Sequence, residues 1–380
     1  VTGLGTSGQH GNSTYVDSSR ITKIQDANIY TDDLYEIAVS ESAKINVQLK
    51  QGFNLNIDNS ADITLGTLKY TSLDEDVVQV SEDGTIKGIA EGTTGVKVQD
   101  ETNGLETVVQ VIVGKRDFSN IYKIVAGNSH TVLLKNDGTV WSWGDNTYGQ
   151  LGNGQISGEQ TENPVQVLGV NGQGYLTDVV DVAAGTSFTV ALRKNGEVVA
   201  WGRNDYGQLG NTNDVTENPI YVKDKNGNKL TGVTDISAAR DHAAAVKADG
   251  TVWTWGRNDY GQLGNNTTIT SNYAVQVLDS KGTGYLNNIK DVSVGSAYVT
   301  ALAKDGTVWS WGYGTSGQMG NGAKTTQKLP VQAKNVTDVQ KIIAGYYTTT
   351  ALKTDGTVWA WGYNGYGQLA NGTTTSSATA

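Results

Sequence analysis

The chain has 380 residues, including 48 glycines, 3 prolines and no cysteine, and a formal net charge of −10. The missing cysteine excludes disulfides, thiolate metal sites and a cysteine nucleophile, and 3 histidines leave little for a zinc centre. The acidic balance disfavours nucleic acid as a partner, and no apolar run reaches the ~18 residues of a membrane-inserted helix.

In chain order, residues 1–20 carry one recognisable string, GLGTSGQHGN at 3–12, which matches GYGTSGQMGN at 312–321. Residues 21–114 contain no tryptophan and alternate as strands in SAKINVQLK, DVVQV, GVKVQD and ETVVQVIV. Residues 115–380 are organised by a repeat. TVWSWGDNTYGQLGNG at 139–154 recurs four more times, and its Trp-Gly pairs begin at Trp143, Trp201, Trp255, Trp311 and Trp361. A second shared block precedes each pair, from AGNSHTVLLKNDG to AGYYTTTALKTDG. Between the two blocks stand Asp137-Gly138, Asn195-Gly196, Asp249-Gly250, Asp305-Gly306 and Asp355-Gly356. Such pairs between alternating runs predict tight hairpin turns, because glycine supplies the positive φ. One unit is then a small antiparallel sheet that must stack on its neighbours, and a period of about 50 residues suits propeller blades.

These blocks resemble the regulator-of-chromosome-condensation repeat family, whose ALxxDGxVxxWGxNxxGQLG pattern is matched nearly in full five times. The resemblance implies an all-β fold, a β-propeller. Five blades are recognisable, plus a partial one at 1–20, and both ends read as cut from a larger ring or closed by another segment. No signal peptide is visible at Val1. The step from the GQLG glycine to the next Ala-Gly position is 25 to 33 residues in later units, but 116 from Gly11 to Gly127. The excess of about 86 residues is one small domain. Segment 68–98 resembles the bacterial immunoglobulin-like domains of surface proteins through Tyr70, Ser72, Asp74, Val77, Val80, Asp83, Gly84, Ile86, Gly88 and Gly92. Tyr70 stands where that family usually has tryptophan. The expectation is a β-sandwich over 21–114, inserted into a propeller over 115–380.

Candidate chemistry is sparse. His130 and His242 share a repeat position with Phe188, Tyr298 and Thr348, and a position that accepts all of these is a packing position. His10 stands where Leu151 and Met319 stand. The glycine-rich GDNTYGQLGNG has no following Lys-Ser/Thr and no helix, so it reads as a blade turn and not as a phosphate loop. Asp74-Glu75-Asp76, and Asp58 with Asp62, read as solvated turns and not as a calcium loop. Tyr148, Tyr206, Tyr260 and Tyr366 share one position, read as blade packing. Gln150, Gln208, Gln262, Gln318 and Gln368 share another, read as hydrogen bonding within the blade. No enzyme, cofactor or metal is expected.

Scaffold residues repeat, whereas partner-specific residues have no reason to. The variable pair after each Ala-Gly position is therefore the candidate partner site: Asn128-Ser129, Thr186-Ser187, Arg240-Asp241, Ser296-Ala297 and Tyr346-Tyr347. These pairs occupy equivalent turns and should gather on one face of the ring. Arginine and tyrosine are typical hot-spot residues. The expected function is a bacterial secreted or cell-surface adhesion protein that binds a protein or glycan. The alternative is an inhibitor of a secreted enzyme such as a β-lactamase. Nucleotide exchange on a small GTPase, as in eukaryotic relatives of this repeat family, fits the acidity poorly. Open blade faces should also favour self-association.

Overall fold

The computed structural model describes residues 27–31, 34–37, 40, 42–51, 65–114, 120–158 and 161–380. The partial repeat expected over 1–20, with His10, lies outside these residues, as do Asp58 and Asp62. Contacts divide the chain into two compact units, Val1–Phe118 and Ser119–Ala380.

In the first unit a four-stranded sheet runs in the order Leu34–Ile37, Leu105–Val113, Gly92–Asp100, Leu68–Ser72. A three-stranded sheet runs Ser42–Lys44, Thr85–Gly88, Val78–Val80, and Ala27–Thr31 pairs with Val47–Gln51. Val96, Val98, Val109, Val111 and Val113 of the larger sheet share one core with Ile86 and Val78 of the smaller one. Their spacing by two is what places them on a single face. The Asp83-Gly84 turn is held by Asp83, whose Oδ1 accepts the Ser81 hydroxyl at 2.6 Å and the Thr85 N–H at 3.1 Å. Gly84 sits at φ +82°, and a Cβ there would come within 2.6 Å of the Tyr70 ring. The turn therefore needs glycine for its backbone and for its neighbour.

In the second unit each repeat forms an antiparallel sheet, or blade, with strands in chain order. The first strands are Ile121–Ala126, Val179–Ala184, Val233–Ala239, Ile289–Val294 and Val339–Ala344. The described residues complete five such sheets, four with four strands. The fifth has three strands and a bridge from Gly362 to Ser377. The hairpin glycines Gly138, Gly196, Gly250, Gly306 and Gly356 all lie at φ between 79° and 83°, as the Asp-Gly and Asn-Gly pairs predict.

The cores lie between blades. Val132, Leu134 and Val140 of the first blade close against Val179, Val182 and Trp201 of the second. The same arrangement recurs at the next three junctions. Each junction also carries one directed bond. The Trp201 Nε1–H donates to the Gln150 carbonyl at 2.9 Å, Trp255 to Gln208, Trp311 to Gln262 and Trp361 to Gln318. These four indoles are completely buried. Where no further blade lies among the described residues, the same positions stay open. Val358 is 67% exposed, whereas its counterparts Val140, Val198, Val252 and Val308 are at 0%. On the first blade Ile124 is 56% exposed, whereas Val182, Ile236, Val292 and Ile342 are buried.

Candidate functional site

The first strands converge on a cavity of about 470 Å³, lined in all five blades by the turn that ends the first strand. The lining includes Asn128, Thr186, Arg240, Ser296 and Tyr346, the first member of each variable pair. The backbone explains why these turns meet. Gly127, Gly185, Gly295 and Gly345 each donate an N–H to the residue three positions on, which closes the turn at the end of the first strand. The rim then continues between blades, with the Asn128 N–H on the Thr186 carbonyl at 3.1 Å and the Thr186 N–H on the Arg240 carbonyl at 2.8 Å. Arg240 is the one rim residue in the left-handed region, at φ 49°. Its Nη1 donates to Ser296 Oγ at 3.2 Å.

The second members of the pairs behave differently. The carbonyls of Ser129, Ser187, Asp241, Ala297 and Tyr347 accept the N–H of Asp145, Arg203, Arg257, Tyr313 and Tyr363, the residue after each Trp-Gly pair. Ser187, Asp241 and Ala297 are buried. Asp241 is held by Arg257 Nη1 at 3.3 Å. Five of the residues read from the sequence therefore face one cavity, Ser296 among them although it too is buried. The second members are structural anchors, with Ser129 and Tyr347 left accessible.

An arc that the sequence reading missed runs beside this mouth. The guanidinium of Arg203 lies 5.1 Å from the centre of the Tyr148 ring, and that of Arg257 lies 4.6 Å from Tyr206. At the next junction Tyr260 meets the Tyr313 ring, at 5.0 Å and near a right angle. Tyr313 lies 5.4 Å from Tyr347, which lies 4.6 Å from Tyr346. The signal was present in the residue after Trp-Gly, which changes from Asp145 to Arg203, Arg257, Tyr313 and Tyr363 while its neighbours repeat. Tyr148, Tyr206 and Tyr260 therefore meet the next blade, whereas Tyr366 meets Tyr363 of its own blade, and Tyr260 and Tyr366 remain exposed. The glutamines act inside the turn: Gln150 Oε1 accepts the Tyr148 N–H at 2.8 Å, and the other four repeat this.

Below the rim the first strands are tied by side chains. The Val292 N–H donates to Asp235 Oδ2 at 2.9 Å, Val294 N–H to Ser237 Oγ at 3.0 Å and Ala344 N–H to Ser293 Oγ at 2.8 Å. Lys123 Nζ pairs with Asp181 at 2.5 Å. Burial pushes the Asp235 carboxyl up to about 7, with Asp291 and Asp181 adding repulsion and Lys123 opposing it. His130 and His242 are buried packing residues, and burial lowers both to about 4. His130 Nε2 also meets Thr189 Oγ1 at 3.0 Å.

The RCC1-like domain model matches residues 158–380, and the regulator of chromosome condensation (RCC1) repeat model matches 121–150. The chain belongs to the RCC1-like domain family. The ultraviolet-B receptor UVR8 of Arabidopsis thaliana is 34% identical over 210 residues, 54% of this chain and 44% of that protein. The human E3 ubiquitin-protein ligase HERC2 is 37% identical over 179 residues, 46% of this chain and 3% of that protein. The chain thus spans less than half the length of these curated relatives. Among solved structures, human WBSCR16 superposes with a TM-score of 0.60 at 23% identity, covering 76% of this chain and 77% of that one. The RCC1-like assignment agrees with the sheets described above, and it rests on the repeats alone.

Proposed function

We propose that this RCC1-like chain is a non-catalytic scaffold that binds a partner protein at the cavity mouth. The observation that carries this reading is the division of labour within each repeat. Trp, Gln, Asn and Gly recur and are spent on packing and turns, while the variable first members of the five pairs converge on one cavity. Arg240 and Tyr346 stand exposed there, and residues of these types dominate the energetics of protein interfaces. In the same reading the first unit is a bacterial immunoglobulin-like module inserted ahead of the first complete blade. Its support is the Asp83-Gly84 turn against Tyr70 and the shared core of its two sheets. In this reading the chain works outside a bacterial cell, a proposal supported by the resemblance of 68–98 to modules of bacterial surface proteins.

The test uses the full chain immobilised against a panel of extracellular proteins, beside Arg240→Ala/Tyr346→Ala/Tyr347→Ala. Retained partners should bind the triple variant at least ~10-fold more weakly. The melting temperature should stay within about 2 °C, because these side chains lie outside the inter-blade cores. Unaltered affinity would move the site away from the mouth.

A further inference from the structure

The geometry points to an arginine-bearing segment as the feature of the partner that this face reads, an inference that rests on the scaffold reading above. The receptor would be the four-ring terrace of Tyr260, Tyr313, Tyr347 and Tyr346. The molecule itself supplies the precedent. At the first two blade junctions the residue after Trp-Gly is arginine, and its guanidinium lies over the tyrosine of the preceding blade, at 5.1 and 4.6 Å. Guanidinium over a tyrosine face is favourable through the ring quadrupole. At the third junction that position is Tyr313, so Tyr260 receives a ring edge and no cation.

Three successive ring contacts of 5.0, 5.4 and 4.6 Å then carry the aromatic surface from Tyr260 to the cavity rim. The two ends of the terrace are open, Tyr260 at 41% and Tyr346 at 65% exposure. The adjacent arginines have polar partners of their own, and the charge of Arg240 is also felt at Tyr347. Arg257 takes Asp259 at 2.6 Å and Asp241 at 3.3 Å, and Arg240 takes Ser296. The ring faces at the two ends of the terrace are therefore open to a cation from outside the molecule. A sugar could also stack on exposed rings, but the internal arginine precedent would not select it.

The test titrates the full chain, labelled with 3-fluorotyrosine, with acetyl-Gly-Gly-Arg-Gly-Gly-amide. The control peptide carries citrulline, which keeps the shape and loses the charge. The expected result is a saturable shift of terrace tyrosine signals, with citrulline at least ~5-fold weaker. Tyr313→Arg should abolish the response without lowering the melting temperature, because it completes the internal pattern of the two preceding junctions. Tyr313→Leu/Tyr346→Leu should abolish it as well. Equal response to citrulline, retained response in both variants, or a stronger response to maltohexaose would each overturn the inference. Partner binding that fails in the Arg240/Tyr346/Tyr347 triple variant, yet shows no arginine selectivity, would overturn it while leaving the scaffold reading intact.

Discussion

Asp235→Asn should make the second unit more stable above neutral pH and change little near pH 4. Asp235 is packed between the first strands of neighbouring blades, where it accepts the Val292 N–H at 2.9 Å. Its carboxyl faces Asp291 and Asp181, with Lys123 as the opposing cation, and it titrates at about 7 against the ordinary 3.8. A carboxyl raised in the folded state holds its proton longer there than in the unfolded chain. Its contribution is therefore complete below about pH 4 and declines as pH rises, levelling off above about pH 7. A shift of about 3 units corresponds to at most about 4 kcal/mol. Asparagine retains an acceptor for Val292 and cannot ionise, so the variant escapes the decline. At roughly 2 °C per kcal/mol for a domain of this size, its melting temperature at pH 8 should rise by up to about 8 °C. Calorimetry of the full chain from pH 4 to pH 8.5 measures this directly, with the transition of the second unit reported by tryptophan fluorescence. Parallel curves for the two proteins across that range would refute the burial argument. A variant less stable than the parent at pH 8 would show that the charged carboxylate is the form the fold requires.

The other predictions concern acid stability, the junctions and the first unit. His242→Phe, which installs the residue found at the equivalent Phe188, should raise the urea midpoint at pH 4.5 and leave it nearly unchanged at pH 8. A histidine lowered to about 4 keeps its stabilisation above about pH 6.5 and loses it as pH falls, at most about 3 kcal/mol in all. Trp201→Phe removes the indole N–H from the Gln150 carbonyl and leaves a void at a buried junction, which should cost about 2–4 kcal/mol in denaturant titration. Trp143→Phe, at the half-buried first position, should cost clearly less in the same assay. Gly84→Ala forces a side chain into positive φ and against Tyr70, and should lower the first unit's stability by about 1–3 kcal/mol. The tryptophan-reported transition should stay in place, since all 9 tryptophans lie at 141 and beyond.

Local chemistry made much of this legible in the sequence. Asp137-Gly138 and its four counterparts announced hairpins because a two-residue turn depends only on its own φ angles. The step of 50 to 58 residues between Trp-Gly pairs announced stacked sheets because every unit spends the same residues on its neighbour. The convergence of Asn128, Thr186, Arg240, Ser296 and Tyr346 followed from their equivalent positions. Burial of their partners Ser187 and Asp241 did not, because it depends on a backbone bond from a residue 16 positions further along the chain. The contact of Arg203 with Tyr148 and the repulsion between Asp235 and Asp291 were equally hidden. Both join residues more than 50 positions apart, and both depend on the angle at which successive blades meet. The sequence pattern carries no record of that angle.

The bond from Trp201, Trp255, Trp311 and Trp361 to the preceding blade's glutamine carbonyl has an evolutionary consequence. Every junction uses the same two surfaces in the same order, so copying one unit and inserting it anywhere creates two junctions that already fit. Unequal recombination can therefore lengthen or shorten the array without any compensating change in its cores. Each new copy also brings one more rim residue to the mouth, and the bond from indole to carbonyl makes no demand on that residue's side chain. The gene can revise what the mouth displays, one unit at a time, under rules of assembly that stay constant.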